Sequence, residues 1–136
     1  MSDEDEPVGQ TMPSGAVLVL DDDDLIRGAM RRILEARGHT VTTAATAAEA
    51  IEICEASNAA GVAGWLDLVV ADADAAGVEF GTRVASARPG LAVLFVSSLS
   101  RPIAEDRGLI DARDRFVAKP FSAAALSDAV RAALQR

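Results

Sequence analysis

The sequence predicts an α/β domain in which a parallel sheet is covered by helices on both faces. Two observations carry this. Short apolar runs rich in Val, Leu and Ala alternate five times with longer segments whose apolar residues recur every three or four positions, with no internal repeat. The apolar runs are continuous and do not alternate with polar residues, the pattern of strands buried on both faces. Right-handed crossovers then bring the carboxyl ends of the strands to one edge of the sheet, where such folds place their sites.

Ala16 to Leu20 is the first strand, ended by Asp21 to Asp24. The stripe Ile26, Ala29, Met30, Ile33 and Leu34 then marks a helix, with Asp23 or Asp24 as its N-cap and Gly38 at its end. Thr40 to Ala44 is a weaker second strand. Thr46 and Glu49 have the spacing of a capping box and open a second helix with Ala47, Ala50, Ile51 and Cys54 inward. A small-residue loop, Ser57 to Gly64, leads to a third strand, Trp65 to Ala71, with Trp65 packing at its start and Asp72 at its end. Gly77 to Ala87 is the third helix, stopped by Pro89-Gly90, and Leu91 to Val96 is the fourth strand, ending at Ser97-Ser98. Ser100 to Ala112 has the length of a helix, but Pro102 and Gly108 make it a poor one. Arg115 to Ala118 is a short fifth strand before Lys119-Pro120. Ser122 caps a last helix with the stripe Leu126, Ala129, Val130, Ala133 and Leu134.

The 136 residues suffice for one domain, predicted over 16–136, behind an acidic, disordered tail over 1–15. A net charge of −8 argues against direct nucleic-acid binding, which needs a basic face. No apolar stretch is long enough to span a membrane, and the acidic N-terminus is no signal peptide. With Cys54 as the one cysteine, no intrachain disulfide forms; together these features point to the cytoplasm. His39, the one histidine, is expected to be exposed at a turn, and no His/Cys cluster for zinc is present.

The residues just past the strands carry the chemistry. Asp21 and Asp22 follow the first strand, Asp72 the third, Ser97 the fourth and Lys119 the fifth. Three converging carboxylates repel one another unless a cation holds them, and oxygen-only ligands favour Mg²⁺. A carboxylate nucleophile beside a metal, a hydroxyl and an ammonium suits phosphoryl transfer.

The runs VLVLDDDDLIR, LDLVVAD, VLFVSS and FVAKPFS, in this order and at strand ends, resemble the signature segments of response-regulator receiver domains over about Ala16 to Leu134. The resemblance implies a flavodoxin-like, doubly wound five-stranded sheet of order 2-1-3-4-5. It implies that Asp72 is the phosphoacceptor and that Asp21 and Asp22 hold Mg²⁺, with the backbone carbonyl of Asp74 as a further ligand. Ser97 and Lys119 would meet the phosphoryl group, and Phe116 would be the aromatic switch. The implied partners are a sensor histidine kinase or a histidine phosphotransfer protein. A downstream protein or a second copy of the chain would dock on the face of the fourth helix, fifth strand and fifth helix. RGLIDARDRFVAKPF is further similar to receiver modules of hybrid histidine kinases. Such a domain is not a turnover enzyme; it catalyses only its own phosphorylation and dephosphorylation. No output domain is expected after Arg136, so output would pass through contacts or onward phosphotransfer.

One segment departs from the family. The loop after Asp72 is about three residues short and lacks its usual proline, leaving Asp72-Ala73-Asp74-Ala75-Ala76-Gly77. The Asp74 side chain either enters the site or caps the third helix. Two other readings stand beside this one: a degenerate receiver that binds partners without phosphorylation, and a haloacid-dehalogenase-type phosphatase, whose nucleophile motif Asp72-Ala73-Asp74 imitates.

Overall fold

The computed structural model describes residues 15–59 and 66–135. Its elements run β1 (Ala16–Leu20), α1 (Asp24–Ala36), β2 (Thr40–Ala44), α2 (Ala47–Ala59), β3 (Leu68–Asp72), α3 (Ala75–Ala87), β4 (Ala92–Ser97), α4 (Arg101–Asp106), β5 (Arg115–Ala118) and α5 (Ala123–Gln135). All strand pairings are parallel, and the sheet order is β2-β1-β3-β4-β5, as expected. Residues 1–14 of the tail predicted over 1–15, and the packing of Trp65, lie outside the described residues. None of the described helices is long and apolar enough to cross a membrane.

Continuous apolar strands supply two cores because successive side chains point to opposite faces. Val17, Val19, Leu68, Val70, Leu94 and Val96 pack with Met30 and Leu34 of α1 and Leu126 and Val130 of α5. Leu18, Leu20, Val69, Ala71 and Phe95 pack on the other face with Ala50 of α2, Phe80 of α3 and Ala104 of α4. Thus α1 and α5 cover one face, and α2, α3 and α4 the other.

The caps agree with the residue chemistry. Asp23 caps α1 by accepting the N–H groups of Leu25 and Ile26, and Gly38 leaves the helix at a φ of 93°, a region that favours glycine. Thr46 Oγ1 accepts the Glu49 N–H, while the Glu49 carboxylate reaches back to the Ala45 N–H. Ser122 Oγ accepts the N–H of Ala125 in α5.

Several boundaries differ from expectation: the fourth strand spans Ala92–Ser97 and the second helix runs to Ala59, past the expected loop start at Ser57. The third strand spans Leu68–Asp72, starting after the predicted Trp65 and taking in Asp72. Helix α3 begins at Ala75, before Gly77, because Asp74 acts as its N-cap. Helix α4 has six residues and ends before Gly108, whose φ is 74°, so Pro102 sits in its first turn and the rest of the predicted segment forms turns.

His39 also differs. It is only 7% exposed, and its Nδ1 accepts the Gly15 N–H at 3.2 Å, which fastens the start of β1 beside α1. Burial lowers the His39 pKa from its ordinary value. The unfolded chain therefore takes up the proton first as pH falls. The His39 contribution is fully present above about pH 6.5 and is lost as pH drops toward the folded pKa. Urea unfolding between pH 8 and 5 should show this slope in the natural chain and a reduced slope in His39→Gln.

Candidate functional site

At the end of β1 the four consecutive acids have separate tasks. Asp23 caps α1, and Asp24 pairs with Arg27 at 2.6 Å. Asp21 is 1% exposed; its Oδ1 accepts the Asp23 N–H at 2.9 Å and its Oδ2 accepts from Lys119 Nζ at 2.7 Å. Arg27 also donates to the Asp21 carbonyl at 2.9 Å, bracing the strand end from α1. Asp22 is exposed and turned toward the cleft above the sheet.

Asp72 ends β3, half-buried, with Oδ1 3.2 Å from Lys119 Nζ. Carboxylate oxygens of Asp21, Asp22 and Asp72 all lie within 4.8 Å of one another. Burial raises the Asp72 pKa, and the charges of Asp21 and Asp74 push the same way against the attraction of Lys119. Burial also works against the Lys119 ammonium, but Asp21 and then Asp72 outweigh it and raise its pKa. The lysine leans to Asp21, the shorter contact, so Asp72 is only partly compensated.

Three carboxylates against one ammonium leave excess negative charge on a purely oxygen donor set. That set fits a hard divalent cation such as Mg²⁺. The cleft over it has a volume of about 200 Å³ and is bordered by Asp21, Asp22, Thr46, Asp72, Asp74 and Gly77.

The strand ends are locked together beyond these side chains. Ala73 N–H donates to the Val96 carbonyl and Lys119 N–H to the Ser97 carbonyl, both at 2.7 Å. Ser97 is buried, and its Oγ accepts the Leu99 N–H at 3.0 Å, so the hydroxyl is folded onto its own turn. Phe116 is half-buried in β5 with the Arg101 guanidinium 5.4 Å from its ring centre.

Asp74 takes the capping role. Its Oδ1 accepts the Gly77 N–H at 2.7 Å, and its carbonyl accepts the Val78 N–H at 2.9 Å. Thr46, Arg27 and Arg101 were not among the sequence-predicted site residues. The Asp24–Arg27 spacing was a visible signal for the second; Thr46 was read only as a helix cap, and Arg101 offered only its i,i+4 spacing to Glu105.

The response regulator receiver domain model matches residues 17–131. The chain belongs to this family. Its fold is similar to that of chemotaxis protein CheY4 of Vibrio cholerae, with a TM-score of 0.73 and 23% identity over 90% of this chain and 100% of that one. A CheY-like receiver domain protein of Methanospirillum hungatei matches with a TM-score of 0.72 and 25% identity, over 90% of this chain and 95% of that one. The BeF3-activated DrrB receiver domain matches with a TM-score of 0.72 and 25% identity, over 91% of this chain and all of that one, 100%. No curated protein matches the chain.

In this receiver domain the short loop brings the start of α3 hard against the end of β3. A Cβ added at Gly77 would stand 1.9 Å from the Asp72 backbone carbonyl oxygen. That neighbour is backbone and cannot turn aside. Gly77→Ala should therefore destabilise the domain by about 1–3 kcal/mol, against a propensity gain of about 0.5–1 kcal/mol. Thermal unfolding by circular dichroism should show a lowered midpoint. An unchanged midpoint would mean that α3 can retreat freely.

Proposed function

We propose that Asp72 accepts a phosphoryl group from a phosphohistidine on a sensor kinase or phosphotransfer protein, and that output passes through protein contacts. The observation that carries this is the place of Asp72. Two acids of the three-carboxylate cluster touch Lys119; Asp21 is fully buried with both carboxylate oxygens engaged, whereas the Asp72 side chain is 22% exposed and borders the cleft.

An Asp72 carboxylate oxygen attacks phosphorus, the P–O bond forms, the P–N bond to the donor imidazole breaks, and the imidazole keeps the electron pair and takes up a proton. A bound Mg²⁺ would supply positive charge to offset that of the phosphoryl group. Asp22 and Asp72 would hold it, with Asp21 helping directly or through water. Lys119 supplies the remaining positive charge from its position between Asp21 and Asp72. Ser97 gives up the Leu99 N–H and turns its hydroxyl to the new phosphoryl oxygens. Phe116 then moves toward β4, altering the face of α4, β5 and α5 where a target or second copy docks. The phosphatase reading is disfavoured because the Asp74 carboxylate, its general acid, is engaged with the Gly77 N–H.

Asp72→Asn should abolish acid-labile, hydroxylamine-sensitive label from a phosphorylated histidine kinase. It should also raise the melting temperature of the metal-free protein by a few degrees, since it removes a half-buried negative charge among like charges. Full labelling of this variant would place the acceptor elsewhere, and a lowered midpoint would refute the charge argument.

The Asp74 carbonyl as a further metal ligand makes a separate prediction. That oxygen closes the first turn of α3 with the Val78 N–H. Sharing it with a metal weakens this bond, so Mg²⁺ should speed hydrogen exchange at the Val78 amide. Unaltered exchange at saturating Mg²⁺ removes Asp74 from the ligand set and favours a domain with weakened or no phosphorylation.

A further inference from the structure

Helix α4 is short, buries only Ala104, and has an N-cap, Ser100, that makes no side-chain cap bond. A helix of six residues gains little from its own hydrogen bonds, so something outside must hold it. Arg101, its first residue, stands out. A cation at a helix N-terminus is at the unfavourable end of the helix dipole, so α4 itself does not explain it.

The acceptors do. Arg101 Nη1 donates to the Glu105 carboxylate at 2.9 Å and to the Asp111 and Ala112 carbonyls at 3.2 and 3.5 Å. Its Nη2 donates to the Asp114 carbonyl. The same guanidinium lies over the Phe116 ring at 5.4 Å, within the range of a cation–π attraction. The turn it grips is itself braced: the Asp111 N–H donates to the Asp114 carboxylate, and the Arg113 N–H to that of Asp111. One side chain thus joins the start of α4, the turn before β5 and the aromatic ring of β5. The bond from the Leu99 N–H to Ser97 Oγ lies two residues upstream of Arg101.

We infer that Arg101 is the positioning residue of the switch: it holds the Phe116 ring and the Asp111–Asp114 turn where they stand while Ser97 is folded back on Leu99. When Ser97 releases Leu99, the chain leading into Arg101 loosens, the guanidinium leaves the ring, and Phe116 is free to move. Arg101 therefore sets how much phosphoryl-site occupancy is needed to change the α4–β5 face. This rests on the switch described under the proposed function, but the hold on Phe116 in the unliganded protein stands apart from it.

The test labels the full chain with 4-fluorophenylalanine and follows the Phe116 ¹⁹F signal, assigned with Phe116→Leu. Arg101→Ala should move that signal, without Mg²⁺ or beryllofluoride, toward its position in the beryllofluoride-treated natural protein. It should also lower the beryllofluoride concentration for half-conversion at least threefold. Arg101→Lys should fall between, because lysine keeps a charge near the ring but cannot bridge the carbonyls. If Arg101→Ala does not fold, the lysine variant decides by the same signal. An unmoved Phe116 signal with faster amide exchange only in the turn overturns the inference and leaves Arg101 a loop tie. If the natural protein ignores beryllofluoride, the phosphoryl switch and the threshold role fall together. The signal of the unliganded variants then still decides whether Arg101 holds the ring.

Discussion

The contact on which the site depends is the buried approach of Lys119 to Asp21 and Asp72. It spans three strands that are far apart in sequence and joins the first, third and fifth at their carboxyl ends. Opposing charges out of bulk water are costly to separate and costly to bury, and they are tolerable only when geometry is good. The geometry is good because the surrounding backbone is fixed by the parallel ladders and by the added bonds from Ala73 and Lys119 N–H groups. The sheet therefore supports the charge cluster. The cluster in turn keeps Asp72 poised, because the lysine is shared and leaves that carboxylate short of compensation.

The same economy shows in the acids around it. Asp21, Asp23, Asp24 and Asp74 each have a partner inside the chain: an ammonium, helix N–H groups, a guanidinium and the α3 cap. Asp22 is left facing the cleft, and Asp72 borders it with only a share of Lys119. A run of acids that looks redundant in composition is thus divided between scaffold and chemistry by the start of a single helix.

The fold was legible because continuous apolar strands and striped helices are global signals that many residues repeat. The approach of Asp21, Asp22, Asp72 and Lys119 to one another was legible for a related reason: in a parallel sheet, standing after a strand is already an address. The alternatives for Asp74 were not decidable from sequence, because capping depends on how far the helix start lies from the strand end. His39 was misplaced because its partner, the Gly15 N–H, comes from 24 residues away. Arg101 was invisible for the same reason; its carbonyl acceptors lie 10, 11 and 13 residues further on in turns that carry no periodicity.

The close approach of Gly77 to the Asp72 carbonyl makes the site mechanically lopsided. On the α3 side the backbone of the strand end meets the backbone of a long helix with no room for one methyl group, a stiff abutment. On the α4 side a six-residue helix with one buried residue is tied to the turn before β5 by a single side chain, a more compliant mount. A load placed on the Asp72 side chain finds a wall in one direction and a spring in the other. With no slack between Gly77 and the Asp72 carbonyl, the start of α3 would act as a backstop for any movement of the strand end, and the yielding side of the site would be the other one.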